Sequence, residues 1–470
     1  MTHAMTPRPI TTALAQRNGH HPKAMDRFGV DWSDRAVLVV GLGKSGIAAA
    51  RLLHRIGCRV RMTELADSEP LQARGAELRA SGVAEVEVGR HSRRMFDGAD
   101  LVVVSPGVPD AASPVRWAEE RGTPIISEIE LAFRFCAAPI VAVTGTNGKS
   151  SVVTLIQRLL QAAGRPAVAC GNLGTPFADV MSTMTTSTVA VVEVSSFQLE
   201  RCETFRPAIG VLLNLGVNHL DRHQDRPAYI AAKARLFQRQ TPQDVAVLNA
   251  HDPHVVALSR TLHAQRIWFG DRAVNPPAFR LDDATQRVLP DNMQAVLQVG
   301  RLLGIPDPLT YQTIREFRGL EHRLEYLLTT DGVRLINDSK STTPDSLLYA
   351  LAQCPGSLVP IVGGRDKGLD FEPLGPALTQ ERVRGVVLIG ESRRRIRTLL
   401  NGSTTARECE TLEEAVREAM RLAHPGDTIL FSPGCASFDM FRNFEERGRA
   451  FKALARRLGQ AVQTNGHQPG

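Results

Sequence analysis

The residues with the clearest chemical purpose lie between positions 144 and 150, where the chain reads Thr-Gly-Thr-Asn-Gly-Lys-Ser. An apolar strand pattern precedes this segment and a helical pattern follows it, so the glycines form a turn whose backbone N–H groups can bind phosphate. Lys149 would reach the β- and γ-phosphates of a nucleotide, and the Ser150 hydroxyl would bind Mg²⁺. Val143 stands where the strict form of the motif has glycine. We predict a nucleoside triphosphate site here.

Metal ligands for such a site are expected at neighbouring strand ends of the same domain. Glu193 lies within an otherwise apolar strand, where an unpaired buried carboxylate is costly. It is therefore the predicted Mg²⁺ ligand, and the alternative is an ion pair with an arginine. His219 and Asp221 follow the next strand in a loop that we expect near the phosphates, although a single histidine is more often structural.

A second glycine-rich segment, Gly41 to Gly46, has the pattern Gly-x-Gly-x-x-Gly between a strand and a helix, and Glu64 ends the next strand. In this dinucleotide fingerprint the glycines allow close backbone approach and the helix N-terminus attracts phosphate. Alone it indicates an NAD-dependent dehydrogenase. The pattern does not specify the nicotinamide, however, and a glycine turn that only packs a strand against a helix is the other interpretation.

The alternation of apolar strand, glycine turn and amphipathic helix repeats along the chain, which predicts parallel sheets covered by helices. We predict an α/β fold with three domains in series. These are a Rossmann-like N-terminal domain at residues 31–127, a central P-loop ATPase domain with a mostly parallel sheet at 128–319, and a Rossmann-like C-terminal domain at 320–470. Residues 1–30 show no periodicity and are predicted to be a flexible tail.

The composition is that of an ordinary globular protein, with 43% hydrophobic and 22% charged residues among 470. The net charge of +7 is spread along the chain without interleaved aromatic residues, so we expect no nucleic-acid partner. No apolar stretch is long enough to cross a bilayer, and the N-terminus has no secretory pattern. The seven cysteines are scattered singly, which argues against disulfides or a zinc site. We expect a cytoplasmic protein that contacts no membrane.

These motifs together resemble the Mur ligase family of peptidoglycan synthesis. The resemblance rests on the phosphate loop, on Glu-Val-Ser-Ser-Phe-Gln-Leu-Glu from Glu193 and on Asn-His-Leu-Asp-Arg-His from residue 218. Lys233 matches the family's carbamylated lysine. Without the resemblance, its position in the sequence would predict a solvated residue on a helix. Arg323 lies in a segment similar to the hinge whose arginine reaches ATP. The resemblance covers residues 35 to 458.

Polar loops at successive strand ends of the third domain indicate which branch of the family the chain resembles. They are Asn337 to Thr342, Gly363 to Gly368 and Ser432 to Asp439, and we expect them to meet in one crevice. The last loop, with the Asn-Phe-Glu-Glu-Arg-Gly segment from residue 443, is similar to the D-glutamate-adding branch. The Asp-Asn-Pro-Arg motif of the diaminopimelate- or lysine-adding relative is absent from the sequence.

The resemblance implies an ATP-dependent amide ligase that adds D-glutamate to UDP-N-acetylmuramoyl-L-alanine through an acyl phosphate, with two Mg²⁺ ions and a carbamylated Lys233. We expect a monomer. The implied catalytic residues are Lys149, His219 and Lys233. The implied metal ligands are Ser150, Glu193, His219 and Lys233. The implied ATP-binding residues are Gly145, Thr146, Asn147, Gly148, Lys149, Ser150, Ser151, Asn292, Arg323 and Asp338. The implied UDP-substrate residues are Gly43, Lys44, Ser45, Glu64, Ser105, Gly107 and Asn172. The implied glutamate-binding residues are Lys367, Thr342, Ser437 and Phe444.

The chain departs from the family pattern at three positions. Leu289 replaces the first Asn of a His-Asn-x-x-Asn motif whose second Asn is Asn292, Ser151 replaces a usual Thr, and Thr343 replaces a usual Asn. An L-glutamate-adding variant and a folylpolyglutamate synthase-like ligase are the nearest alternatives. A nicotinamide dehydrogenase leaves the phosphate loop unused, and a non-catalytic nucleotide-binding scaffold leaves Lys233 and the three C-terminal loops unexplained.

Overall fold

The structure is a computed structural model that describes residues 24–465, apart from residues 173, 217–222, 224, 271–289, 318, 355, 367, 401 and 403. The described residues form three β-sheets, each covered by helices and mostly parallel. The predicted α/β class with three sheet-based domains is therefore confirmed. Among the described helices, none has the length and apolar character that crossing a bilayer requires.

The N-terminal sheet is built from short, largely buried strands, as expected for a parallel sheet covered on both faces. Its strands are β1 (Ala36–Val40), β2 (Arg59–Glu64), β3 (Glu85–Val88), β4 (Leu101–Val104) and β5 (Ile125–Ser127). The helices are α1 (Lys44–Arg55), α2 (Glu69–Ala80), α3 (Ser113–Glu120) and α4 (Glu128–Phe135). The strand order is β3-β2-β1-β4-β5, with every pairing parallel. The order reverses between β1 and β4, which opens a crevice at their carboxyl ends.

The central sheet is also parallel throughout its described pairings. Its strands are β6 (Ile140–Thr144), β7 (Ala167–Gly171), β8 (Val189–Glu193), β9 (Ile209–Leu212), β10 (Val245–Asn249) and β11 (Gln265–Phe269). The helices are α5 (Lys149–Ala162), α6 (Phe177–Val180), α7 (Ser196–Glu200), α8 (Arg226–Ala234), α9 (Pro253–Ser259), α10 (Pro290–Leu302) and α11 (Asp307–Glu316). The order is β11-β10-β9-β6-β8-β7, so β6 lies between β9 and β8.

The C-terminal sheet differs from the other two because its first strand runs antiparallel to its second. Its strands are β12 (Glu325–Thr330), β13 (Val333–Asn337), β14 (Leu358–Val362), β15 (Val386–Leu388), β16 (Ala406–Glu408) and β17 (Thr428–Phe431). The helices are α12 (Pro344–Gln353), α13 (Leu374–Leu378), α14 (Arg393–Leu399), α15 (Leu412–Leu422) and α16 (Phe444–Asn465). The order is β12-β13-β17-β14-β15-β16. Strands β13, β17 and β14 are therefore neighbours, and the polar loops that follow them share one edge.

The hydrophobic core is continuous between the first two sheets. One cluster of buried side chains runs from Val37 in β1 through Phe133 in α4 to Leu248 in β10. The C-terminal sheet instead has clusters of its own on its two faces. The first two sheets therefore pack as one unit, and the chain enters the C-terminal sheet through the segment after α11.

Candidate active site

The phosphate loop lies at the carboxyl end of β6, in the middle of the central sheet. Gly145 has a φ of 151° and Gly148 a φ of 86°, backbone conformations that favour glycine. A Cβ atom at Gly148 would lie 2.5 Å from the Asn292 side-chain oxygen, so the buried Asn292 packs directly on the loop. Lys149 begins α5, and its Nζ donates to the carbonyl oxygens of Gly145 and Thr146, each at 2.9 Å. The loop thus holds its own lysine in place.

Two residues that sequence reasoning did not single out hold this loop from the side. Asn214, just after β9, accepts a hydrogen bond from the Asn147 backbone N–H at 2.8 Å and donates to the Asn147 carbonyl at 3.2 Å. The Tyr229 hydroxyl hydrogen-bonds to the Thr146 hydroxyl at 2.9 Å. Asn214 lies four positions before the Asn-His-Leu-Asp-Arg-His segment and Tyr229 four positions before Lys233, and this proximity was the available signal. These hydrogen bonds hold the loop at Thr146 and Asn147.

Glu193 ends β8 beside the phosphate loop, and its side chain is only 2% exposed. Its Oε1 accepts a hydrogen bond from the Asn172 amide at 2.7 Å. No described residue donates to Oε2, although that atom is buried. A buried carboxylate oxygen without a donor is costly unless a cation completes it. Glu193 therefore has the chemistry of a metal ligand, and Asn172 orients it.

Lys233, on α8, is buried rather than solvated. Its Nζ donates to the Gly145 carbonyl at 2.9 Å and lies 4.7 Å from the centre of the Tyr229 ring. Burial lowers the pKa of Lys233 well below its ordinary value, and the nearby Lys149 lowers it further, while Glu193 opposes the change. The structure therefore brings a buried lysine, in surroundings that disfavour its charged form, to the phosphate loop.

Further cations surround the same point. The pKa of Lys149 is lowered to about 8, mainly by burial; Glu193 opposes this change, and the nearby Arg323 and Lys340 contribute to it. Arg323 belongs to the C-terminal side of the chain, yet its Nη1 donates to the Ser150 hydroxyl at 2.9 Å. Burial likewise lowers the pKa of Lys340, a residue missed by sequence reasoning although it stands in the Asn337 to Thr342 motif. Together they make a positive field suited to polyanions.

Asp338, predicted to bind ATP, has both carboxylate oxygens engaged within the protein. Oδ1 accepts a hydrogen bond from the Leu324 backbone N–H at 3.1 Å, and Oδ2 accepts one from the Ser432 hydroxyl at 2.8 Å. Burial raises the pKa of Asp338 to about 6. The side chain therefore ties the segment carrying Arg323 to the ends of β13 and β17.

The predicted glutamate-binding residues lie around one edge of the C-terminal sheet. Ser437 is buried and Thr342 half-buried, in loops after β17 and β13. The Phe444 carbonyl accepts a hydrogen bond from Ser339 at 2.8 Å, which joins the start of α16 to the loop after β13. No described hydrogen bond joins Thr342, Ser437 and Phe444 directly to one another.

Arg447, which sequence reasoning missed, lies buried among these loops. Its guanidinium donates to the Ser339 hydroxyl at 3.1 Å, to the Ser339 carbonyl at 2.8 Å and to the Cys435 carbonyl at 2.9 Å. The Arg365 backbone N–H donates to the Ala436 carbonyl at 2.9 Å, which links the loops after β14 and β17. The three polar loops therefore do meet. The hydrogen bonds that hold them together join residues far apart in the sequence, so no single motif predicts them.

The predicted UDP-substrate residues divide between two places. Glu64 Oε2 accepts a hydrogen bond from the Leu42 N–H at 2.8 Å, and the Ser105 hydroxyl donates to the Gly41 carbonyl at 3.3 Å, across the crevice between β1 and β4. The others at this crevice are Gly43, Lys44 and Gly107, which are exposed, and Ser45, which is half-buried. Asn172 is not among them, because its described side-chain contact is with Glu193 in the central sheet.

Several parts of the sequence interpretation lie outside the described residues. They are residues 1–23 of the predicted tail, residues 218–222 of the Asn-His-Leu-Asp-Arg-His segment with His219 and Asp221, and the single positions Leu289 and Lys367.

Three parts of the sequence match domain models of one protein family. The Mur ligase MurD-like N-terminal domain matches residues 35–127, the Mur ligase middle domain 143–289, and the Mur ligase glutamate ligase domain 322–435. The chain is 39% identical over 458 residues to a protein of Desulfosudis oleivorans named UDP-N-acetylmuramoylalanine--D-glutamate ligase, covering 93% of this chain and 99% of that protein. It is 41% identical over 451 residues to the protein of the same name from Anaeromyxobacter dehalogenans, covering 89% and 97%.

Solved structures share the fold at lower identity. The MurF ligase of Thermotoga maritima in complex with ADP has a TM-score of 0.55 at 16% identity, covering 90% of this chain and 96% of that one. The UDP-N-acetylmuramate-alanine ligase MurC of the same organism has a TM-score of 0.52 at 18% identity, covering 90% and 99%. The three-domain architecture is therefore shared with proteins whose sequences differ widely from this one.

Proposed function

The chain belongs to the Mur ligase family, and we propose that it joins D-glutamate to UDP-N-acetylmuramoylalanine at the expense of ATP, in peptidoglycan precursor synthesis. The observation that carries the proposal is the 39% identity to a relative of that name across 99% of its length. The phosphate loop, with its lysine held in place and cations around it, supports ATP as the second substrate.

The proposed chemistry has two steps. The alanyl carboxylate attacks the γ-phosphorus of ATP, which forms an acyl phosphate and releases ADP. The amine of D-glutamate then attacks the acyl carbon, and phosphate leaves from the tetrahedral intermediate as the amine loses its proton. Two polyanions must approach each other in the first step, and Lys149, Arg323 and Lys340 supply the positive charge that makes this approach favourable.

Mg²⁺ fits the residues at this site. The Ser150 hydroxyl and Glu193 Oε2, to which no residue in the described part of the chain donates, would hold it, and His219 is the further proposed ligand. When bound, Mg²⁺ supplies positive charge to the phosphoryl oxygens during transfer. Two ions are proposed, in keeping with the family resemblance.

We also propose that Lys233 carries a carbamate. An amine reacts with CO₂ only in its neutral form, and burial lowers the pKa of Lys233 in the direction that favours this form. The product is an anionic oxygen ligand, which suits a hard cation such as Mg²⁺. The same burial would be unfavourable for a permanent ammonium group.

The remaining substrates are proposed to bind at the two outer sheets. The crevice between Gly41 and Ser105 would take the UDP moiety, with phosphate near the start of α1. The loops after β13, β14 and β17 would take glutamate, with Thr342, Lys367, Ser437 and Phe444 as its contacts. We propose that the protein acts as a cytoplasmic monomer, and its described cysteines, all buried and free, suit a reducing compartment.

The decisive experiment measures phosphate release with UDP-N-acetylmuramoyl-L-alanine, ATP and a panel of amino acids. We expect release with D-glutamate and much less with L-glutamate, lysine, diaminopimelate or no amino acid. A preference for L-glutamate would replace this function with that of an L-glutamate-adding variant. Lys149→Ala is the control, and it should abolish release, since the phosphate loop loses the lysine that would neutralise the transferred phosphoryl group.

A further inference from the structure

Arg323 reaches the phosphate loop from an unusual stretch of backbone. The residues on either side of it, His322 and Leu324, have φ angles of 62° and 43°. Non-glycine residues are strained in this region, so such backbone persists only where the surroundings impose it. The turn aims the Arg323 guanidinium at the Ser150 hydroxyl, 2.9 Å away and 173 positions earlier in the chain.

A carboxylate just after the turn holds it in this shape. Glu325 Oε2 accepts a hydrogen bond from the His322 backbone N–H at 2.9 Å and one from the Asn337 amide at 3.1 Å. The Asn337 amide nitrogen also lies 2.9 Å from His322 Nδ1. The backbone N–H of the first left-handed residue is therefore fixed by Glu325.

A lysine from the C-terminal helix completes the arrangement. Lys452 Nζ, on α16, donates to Glu325 Oε1 at 2.6 Å and to Glu321 Oε1 at 2.9 Å. The Lys452 and Glu325 side chains are only 18% and 16% exposed, so each is the main counter-charge of the other. Removing the lysine would leave a largely buried carboxylate uncompensated, and that carboxylate would move toward water.

We propose that Glu325 and Lys452 are positioning residues for nucleotide binding, which hold the His322–Leu324 turn so that Arg323 points into the phosphate site. The inference rests on the assignment of Arg323 to ATP in the proposed function. Neither residue touches the phosphate loop in its described hydrogen bonds and ion pairs, so both act through Arg323.

The test is a double-mutant cycle read by the affinity for ADP and for ATP in a binding titration. Lys452→Met and Glu325→Gln should each weaken nucleotide binding about tenfold, the loss expected when one charged contact to phosphate is misplaced. Arg323→Met should weaken it at least as much. Because the lysine acts through the arginine, adding Lys452→Met to Arg323→Met should cause almost no further loss. Lys452→Arg, which keeps the cation, should retain most of the affinity.

Arg457→Met is the matched control, since Arg457 lies on the same helix and pairs with Glu413, away from the turn. It should leave nucleotide affinity unchanged. Unchanged affinity in Lys452→Met and in Glu325→Gln, or losses that multiply with that of Arg323→Met, would overturn the proposal. If one variant fails to fold, as judged by its melting temperature, the other gives the same cycle. Binding affinity does not depend on which amino acid is ligated, so failure of this proposal is distinct from failure of the D-glutamate assignment.

Discussion

Burial of the Glu128 carboxyl predicts a measurable pH dependence of the free energy of unfolding. Glu128 begins α4 between the first two sheets and is only 1% exposed. Its Oε1 accepts a hydrogen bond from the Ala178 N–H at 2.6 Å, but no described residue donates to the buried Oε2. The pKa of Glu128 is raised from 4.5 to about 7, mainly by burial, with a contribution from Asp179 and with backbone hydrogen bonds from Ala178 and Phe177 opposing the rise. The protonated acid is therefore the form that the fold prefers.

The sign and size of the effect follow from this difference in pKa. The folded-state pKa lies above the unfolded value of 4.5, so the stability from the protonated acid is complete below pH 4.5 and is lost as the pH rises through 7. Each pKa unit corresponds to about 1.4 kcal/mol, which gives a total loss of about 3 kcal/mol. Of this, roughly 2.5 kcal/mol is lost between pH 5 and pH 8.

The perturbation is Glu128→Gln, which keeps the shape and the Ala178 hydrogen bond but cannot ionise. Urea unfolding of both proteins at pH 5 and pH 8 gives the difference in the free energy of unfolding. We expect the variant to gain about 2.5 kcal/mol on wild type between these pH values. Parallel pH profiles for the two proteins would refute the reasoning, because they would mean that Glu128 does not titrate differently on folding.

Glu130, two residues further along the same helix, is the matched control. It is also buried, but its Oε2 accepts three backbone hydrogen bonds, from Glu203, Thr204 and Phe205, at 2.9 to 3.0 Å. Its Oε1 accepts a hydrogen bond from Arg134 at 3.0 Å. Glu130→Gln should therefore lower stability by about 2 kcal/mol, since an amide nitrogen would face donors. The two substitutions should act in opposite directions at pH 8.

Two further predictions concern the phosphate loop. Lys233→Ala should lose most ligase activity and regain part of it with added acetate, because acetate would supply the missing oxygen ligand. Lys233→Arg should not be rescued by acetate. Full activity in the arginine variant would exclude the carbamate. Gly148→Ala should lower ATP affinity at least tenfold and reduce stability by about 1 to 2 kcal/mol, because its φ of 86° disfavours alanine and the new methyl group would meet Asn292 at 2.5 Å. A nucleotide titration and a thermal melt of that variant check both effects, and wild-type affinity would contradict the proposed close packing of the loop.

Much of the architecture could be read from local patterns. Apolar runs predicted the interior strands of all three sheets, such as β1, β6 and β14, because a parallel strand covered on both faces must be apolar along its length. Strands β3, β7, β11, β12 and β16 lie at sheet edges, and the apolar pattern did not predict them. The phosphate loop could also be predicted from the sequence, since its function needs glycines and a lysine at fixed spacing next to the start of a helix. The parallel topology then placed the loops after β13, β14 and β17 at one edge. Such features depend on neighbours within about ten residues, and a sequence records them directly.

The tertiary structure alone decided which distant side chains meet. The sequence pattern around Lys233 predicts a solvated helix residue, yet the packing of α8 against the phosphate loop buries it beside Gly145. Arg323 reaches Ser150 across 173 positions, through a turn that Glu325 and Lys452 hold. Asn172 orients Glu193 because β7 and β8 are paired. These contacts arise from the path of the chain, since burial and charge pairing depend on what other elements bring to a site, and no local spacing encodes that.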